Sequence, residues 1–253
     1  MRTLLAAAIL LACVVTAAAG DGSAVRAIGF SADGRYFAYE QYGERDGDGQ
    51  LYAEIYTVDV RDDRFEEAPV REVWTPDTES SKRKGERPTL AQVRERAAAQ
   101  AAPTLKRLGI GTPGWRAGAI EESRGDAVLS PVQVGPVRDA TATGMDVSAL
   151  GLTGRLTLRP IPIDTRRCAN RVVDGIPQGI VLTLERQGRT PLTIMHERTI
   201  PAARGCPDRY GLATAYASPR SDGSTALAIF IQYFYQAFEG PDRRFFVVTS
   251  AVR

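Results

Sequence analysis

The chain opens and closes on the same local pattern, and this repetition limits how it can fold. Near the start, Val25 to Glu40 reads as a strand, a turn at Asp33-Gly34 and an aromatic strand; a polar loop and a further strand, Leu51 to Val60, follow. Near the end, Ala215 to Phe230 repeats the arrangement around Asp222-Gly223, with Arg244 to Val252 as its last strand. Asp-Gly between apolar runs marks a tight hairpin turn. Alternation supports the strands: Tyr52, Tyr56, Val58 and Val60 share one face, and Leu51, Ala53, Ile55 and Thr57 the other. The aromatics are partitioned in the same way. Of seventeen Phe and Tyr residues, seven lie in 30–56 and nine in 210–246, leaving only Phe65 elsewhere. Large aromatics seek burial. The two terminal hairpins are therefore expected to pack on each other or share a sheet, closing one β-rich unit over residues 20–253.

The first nineteen residues stand outside that unit. Arg2 supplies a positive start, Leu4 to Val15 an apolar stretch, and Ala17 to Ala19 a small-residue cleavage site before Gly20. This is the layout of a removable secretory signal. The apolar stretch is short for a bilayer span, so no transmembrane segment is expected after processing. Leu10 to Cys13 loosely resembles a lipobox, although the apolar run continues through Val14 and Val15 where a tethered lipoprotein carries a polar linker. A periplasmic or secreted location follows. In such a compartment the two cysteines left after processing, Cys168 and Cys206, are expected to form a disulfide. No Cys-x-x-Cys suggests redox chemistry, and two distant cysteines with one histidine do not make a zinc site.

Charge is nearly balanced overall, at +2, but unevenly placed. Residues 20–79 carry 15 acidic and 6 basic side chains, whereas 80–107 carry 8 basic and 2 acidic. The basic stretch has no interleaved aromatics and lies in an exported chain, which argues against nucleic acid and for a basic helix facing the acidic N-terminal sheet. Thr89 and Gln92 form a capping-box signature, and Leu90, Val93, Ala97, Ala101, Leu105 and Leu108 follow at helical spacing. This predicts a helical insertion over about 88–108, kinked or divided at Pro103 and stopped by Gly109. Residues 109–150 read as irregular connection with one or two short strands, among them 127–134. Further strands are expected at 154–163, 179–186, 190–198 and 210–217. The run Ala226 to Tyr235 is so apolar that it should be covered on both faces.

Few residues gather into recognisable chemistry. Gly109 to Gly114 spells G-x-G-x-x-G, but it follows a helix and Pro113 lacks a backbone donor. His196, the single histidine, lies in a strand without a nucleophile elbow in the chain. Glu44, Asp46 and Asp48, ahead of Gly49, offer oxygen ligands to calcium, yet they depart from the EF-hand pattern in lacking its first Asp and its bidentate Glu. The second terminal hairpin carries Glu239, Asp242 and Arg243 in the corresponding loop, a candidate binding edge.

Two segments reach beyond generic pattern. Ile28 to Glu40, with its Phe-Ser-x-Asp-Gly turn before an apolar strand, resembles the blade motif of periplasmic TolB-type propellers. Together with Arg204 to Tyr210 and the Phe-Glu-Gly-Pro-Asp element of Phe238 to Phe245, the chain resembles a family of predicted secreted bacterial proteins, domain of unknown function family 2259. The resemblance implies export and a β fold but no activity, so it carries over no catalytic residue. The reading is a mainly β protein of antiparallel sheets, blade-like or sandwich, with one helical insertion. The expected role is non-enzymatic, binding an envelope protein or small ligand through loops; the alternative is a hydrolase of an envelope glycan or ester, assembled from carboxylates or from Ser beside His196.

Overall fold

The computed structural model describes residues 21–45, 47–76, 87–112, 115–117, 143–163, 165–168, 176–236 and 241–253. The expected signal segment and the strand expected at 127–134 lie outside these residues.

The N-terminal part forms one antiparallel sheet and its helix. Strands β1 (Ala24–Ser31), β2 (Tyr36–Glu44), β3 (Leu51–Asp59), β4 (Arg64–Phe65) and β5 (Val70–Trp74) precede helix α1 (Leu90–Arg107) and β6 (Ile110–Thr112). Their order is β4-β3-β2-β1-β6, with β5 also paired to β3. Thr89 caps α1 through its hydroxyl, which accepts from Gln92 N at 3.2 Å, while the Gln92 side chain accepts from Thr89 N at 2.8 Å. Gly109 ends the helix at φ 63°, a backbone angle favourable only to glycine. Pro103 does not divide α1, contrary to expectation. Both Pro103 and Ala99, whose carbonyl it leaves without a helical donor, lie on the exposed side, where solvent access keeps the cost of the missing bond small. Residues 110–112 of the G-x-G-x-x-G string are strand β6, paired with β1, and not a phosphate loop.

Eight strands follow. They are β7 (Trp115–Ala117), β8 (Thr143–Asp146), β9 (Arg155–Pro162), β10 (Gln178–Glu185), β11 (Leu192–His196), β12 (Arg209–Pro219), β13 (Thr225–Gln236) and β14 (Pro241–Val252). They make two further sheets, a central one ordered β14-β13-β12-β7 and an outer one ordered β11-β10-β9-β8. All pairings within the three sheets are antiparallel.

The sheets stack through three buried clusters. Val93, Ala97 and Ala101 of α1 meet Leu51, Ala53, Ile55 and Trp74. The opposite face of the N-terminal sheet brings Phe30, Phe37, Tyr39 and Val58 onto Ala226, Ala228, Phe230 and Phe245. Leu227, Ile229, Ile231 and Val248 then face Leu156, Leu158, Ile180 and Leu182 of the outer sheet. Strand β13 is buried on both faces, as its apolar run requires. The layers therefore run helix, N-terminal sheet, central sheet, outer sheet.

Charge fastens the helix to its sheet. Arg94 grips the buried Glu40 carboxylate with two bonds of 2.8 and 2.9 Å. Arg87 pairs with Glu44, Arg96 with Glu72, and Arg107 with Glu66 and Glu67. Four of the basic residues of 80–107 thus complement acidic residues of the N-terminal sheet within the molecule.

The terminal hairpins also meet at their turns. In each turn an Asp carboxylate accepts the backbone N–H two residues on, Arg35 N to Asp33 at 3.0 Å and Ser224 N to Asp222 at 2.9 Å. Gly34 has φ 67°, and a Cβ there would sit 2.8 Å from Cγ of Arg220 in the other turn. Cys168 and Cys206 are joined by a disulfide with Cα atoms 5.6 Å apart, linking the segment after β9 to the segment before β12.

Candidate functional site

The end of the stack that carries the sequence candidates is a seam of the fold. Glu44 is held by Arg87 at 2.6 Å, and Asp48 accepts from Gln50 N at 3.0 Å inside its own turn. Asp46 and Glu239 lie outside the described residues. Among the described residues no group of three or more His, Cys, Asp or Glu side chains is arranged to hold a metal ion.

Asp242 and Arg243, expected in a binding loop, belong to β14 and are buried. The Asp242 carboxylate accepts from Asp21 N at 2.8 Å, Arg243 N donates to Asp21 O at 2.8 Å, and Ser23 N donates to Arg243 O at 3.1 Å. The Arg243 guanidinium donates to Ser23 O at 3.1 Å, and burial pushes its pKa below the ordinary arginine value. These residues bind the chain's own N-terminal segment. The polar pattern was legible in sequence, but its direction was not: a strand that continues to Pro241 turns expected loop residues inward.

His196 lies exposed on the edge strand β11, with no hydrogen-bond or ion-pair partner among the described residues. A buried ion pair stands nearby, Arg204 to Glu197 at 2.5 Å, with Arg204 over the Phe246 ring at 3.7 Å. Glu197 also accepts from Ile180 N at 3.0 Å, which ties the chain after β11 back to β10. Both oxygens of this carboxylate are thus committed to structure.

A groove opens at the other end of the stack. Two adjoining hollows of about 780 and 410 Å³ share Gly151, Leu152, Thr153, Arg186 and Gln187. Strand β14 runs from the buried Asp242 seam to this groove, roughly 35 Å of extended chain. Three segments build it. The first is the turn between β8 and β9, closed by Leu150 N to Val147 O and Gly151 N to Ser148 O, each 2.9 Å, and anchored by buried Leu150. The second is the hairpin turn at Gln187-Gly188, closed by Arg189 N to Arg186 O at 3.2 Å. The third is the chain end at Val252 and Arg253. Leu184 and Val252 supply a buried apolar floor.

Charge in the groove is unequal. Asp146, Arg155 and Glu185 stand opposite one another across β8, β9 and β10. Asp146 accepts from the Ser148 hydroxyl and from Ser148 N, which hold its carboxyl below the ordinary value. Glu185 accepts from the Thr157 hydroxyl at 2.9 Å. Arg186 donates to Arg253 O at 3.1 Å and to Thr190 O at 3.0 Å, and its Nε is buried without a partner among the described residues. Arg189 and Arg253 complete the set. The charges divide between the hollows: Asp146 and Glu185 face Arg155 and Arg186 in the first, whereas Arg186, Arg189 and Arg253 line the second with no Asp or Glu side chain beside them. None of the four arginines has an Asp or Glu oxygen within ion-pair distance among the described residues, whereas ten arginines elsewhere are closely paired. Arg155 does stand opposite Asp146 and Glu185, and Arg253 acts on Asp222 from farther away. In sequence this region shows only a break between the strands expected at 179–186 and 190–198, because the groove joins segments about a hundred residues apart.

The class defined by these features is a mainly β protein of stacked antiparallel sheets, with one basic groove formed by turns at its end. The chain belongs to the family described as predicted secreted protein DUF2259, whose profile it matches over residues 38–251. Neither the curated proteins nor the solved structures contain a match to it. No helix among the described residues is long and apolar enough to cross a membrane.

Proposed function

We propose that this secreted protein is a non-enzymatic binding module of the cell envelope, and that it works through the groove between the β8–β9 turn, the β10–β11 turn and the chain end. The observation that carries this reading is the state of the charges there. The two carboxylates accept from Ser148 and Thr157, while Arg186, Arg189 and Arg253 line the second hollow with no Asp or Glu side chain beside them. Groups committed in this way are poor acids or bases but a good electrostatic surface for recognition. Turns carried on a rigid sheet stack are also a common place for binding residues.

An NMR screen of small anionic and neutral compounds against the labelled, processed protein tests the proposal. Saturable shifts centred on the amides of Leu152, Thr153, Gln187 and Gly188 support it. Shifts centred elsewhere, or conversion of an added glycan or ester by the protein, overturn it.

A further inference from the structure

We infer that the groove binds a phosphate group, either as the free ion or as a monoester. This rests on the groove being the binding site and adds the chemical class of what enters it.

Three features of the lining favour phosphate over other anions. The first is charge: Arg186, Arg189 and Arg253 line the second hollow with no Asp or Glu side chain, which suits a phosphate monoester carrying about −1.5 to −2 at neutral pH. The second is direction. In the second hollow the guanidinium groups arise from two separate segments, Arg186 and Arg189 in the turn after β10 and Arg253 after β14. A planar carboxylate accepts mainly from one bidentate partner, whereas the tetrahedral oxygens of phosphate accept donors from several sides. The third is preorganisation. Backbone oxygens of Thr190 and Arg253 hold the Arg186 guanidinium, so that it loses little side-chain freedom on binding. Arg155 lies over Gly144, where a Cβ would come within 2.1 Å of its Nε, so a residue without a side chain makes room for the guanidinium above β8. Leu152, half-buried at the shared wall of the two hollows, gives an ester an apolar surface beside the charge.

The processed full-length protein is titrated with inorganic phosphate, glycerol phosphate and succinate at about 0.15 M salt, where exposed charges are screened over ~8 Å. Amide shifts of Leu152, Gln187 and Gly188 are followed by NMR and the heat by calorimetry. Saturable binding of inorganic phosphate or glycerol phosphate at these amides, with succinate at least about tenfold weaker, is the expected result. Tighter binding of glycerol phosphate assigns a lipid-headgroup type of ligand, and tighter binding of inorganic phosphate the free ion. Arg186→Gln and Arg189→Gln are each expected to weaken phosphate by about tenfold or more, and Arg96→Gln, on the helix layer farthest from the outer sheet, to leave it unchanged. Arg189, exposed and without an ion pair, serves if Arg186→Gln lowers the melting temperature. Succinate binding as tightly as phosphate, or phosphate binding unaltered in both groove variants, overturns the inference. Groove shifts with another ligand class but not with phosphate sink the phosphate assignment alone; shifts only outside the groove sink the binding-site reading as well.

Discussion

The central sheet is covered on both faces, and the two faces are held by different means. Towards the N-terminal sheet, small residues alternate with rings: Ala226 and Ala228 leave room for Phe230, which meets Phe37 edge-on at 6.0 Å and Tyr39 at 5.6 Å. Towards the outer sheet, Leu227, Ile229 and Ile231 interleave with branched aliphatics, and the rings of Tyr210, Tyr233, Tyr235 and Phe246 form a separate group. The polar supports differ as well. On the aromatic side, β14 is an outer strand of twelve residues, and the N-terminal part supplies acceptors to its free edge. Arg243 N donates to Asp21 O, Phe245 N to Gln41 Oε1 at 2.7 Å, and Thr249 N to Asp63 Oδ1 at 2.7 Å. On the aliphatic side a disulfide and the Arg204–Glu197 pair do the joining. An exposed strand edge invites pairing with other chains. The N-terminal hairpin therefore packs against the C-terminal one and also seals it.

Substitutions on each side test this contrast, beginning with the largest effect. Phe230→Ala removes the ring at the centre of the aromatic face and should cost about 3–5 kcal/mol in urea unfolding. Ile229→Ala, its neighbour on the other face, should cost about 2–5 kcal/mol. A loss at Phe230 below that at Ile229 would show that the rings contribute no more than their aliphatic counterparts. Replacing Cys168 and Cys206 together by Ala should cost ~3–4 kcal/mol in the chain-entropy model for a separation of 38 residues. Hydrogen exchange should then rise in β9, β10 and β12 before it rises in β1 and β2; uniform loss of protection would contradict the division into two differently joined faces.

Smaller effects are expected at the sealed edge. Asp63 is the one described non-glycine residue with positive φ, 49°, and it accepts from both Thr249 N and the Thr249 hydroxyl. Asp63→Ala strands a buried donor and should cost about 1–3 kcal/mol, with faster aggregation measured by light scattering. Asp63→Asn keeps an acceptor and should lie close to wild type. Burial raises the Asp63 pKa above the usual 3.8 despite the opposing Thr249 bonds, so the native state holds this proton more tightly than the unfolded chain. Wild-type stability relative to Asp63→Asn should consequently be highest below the unfolded value and fall as pH rises through the raised one. Denaturant midpoints between pH 3 and 7 measure this, and a rising difference would show that the Thr249 bonds outweigh burial. Smallest of all, Arg64→Gln breaks an exposed pair with Asp62 and should change stability by no more than about 1 kcal/mol.

Legibility followed the range over which each signal acts. The capping box at Thr89, the apolar spacing of α1 and the Asp-Gly turns are local, and the structure contains them. The partition of aromatics anticipated the contact of the terminal hairpins, because few other partners could cover so many rings. The outer sheet gave no comparable sign. Its residues, such as Leu156, Ile180 and Leu182, are common core aliphatics that do not indicate which surface they meet. Short strands β6, β7 and β8 were hidden within a Gly- and Pro-rich connection, since three or four residues at a sheet edge carry too little pattern to stand out.

The candidate site shows the same limit from the opposite side. Asp242 and Arg243 advertised polarity at the expected edge, but the register of β14 turned them to the N-terminal segment. Arg155, Arg186, Arg189 and Arg253 were unremarked in sequence and line two adjoining hollows joined at Arg186. By itself the sequence determined where strands, turns and the helix begin, that the two ends belong together, and that the cysteines pair. Only the tertiary structure decided which charges are neutralised and which are left over, because the partner of a charged side chain depends on how sheets stack and not on who its neighbours are along the chain.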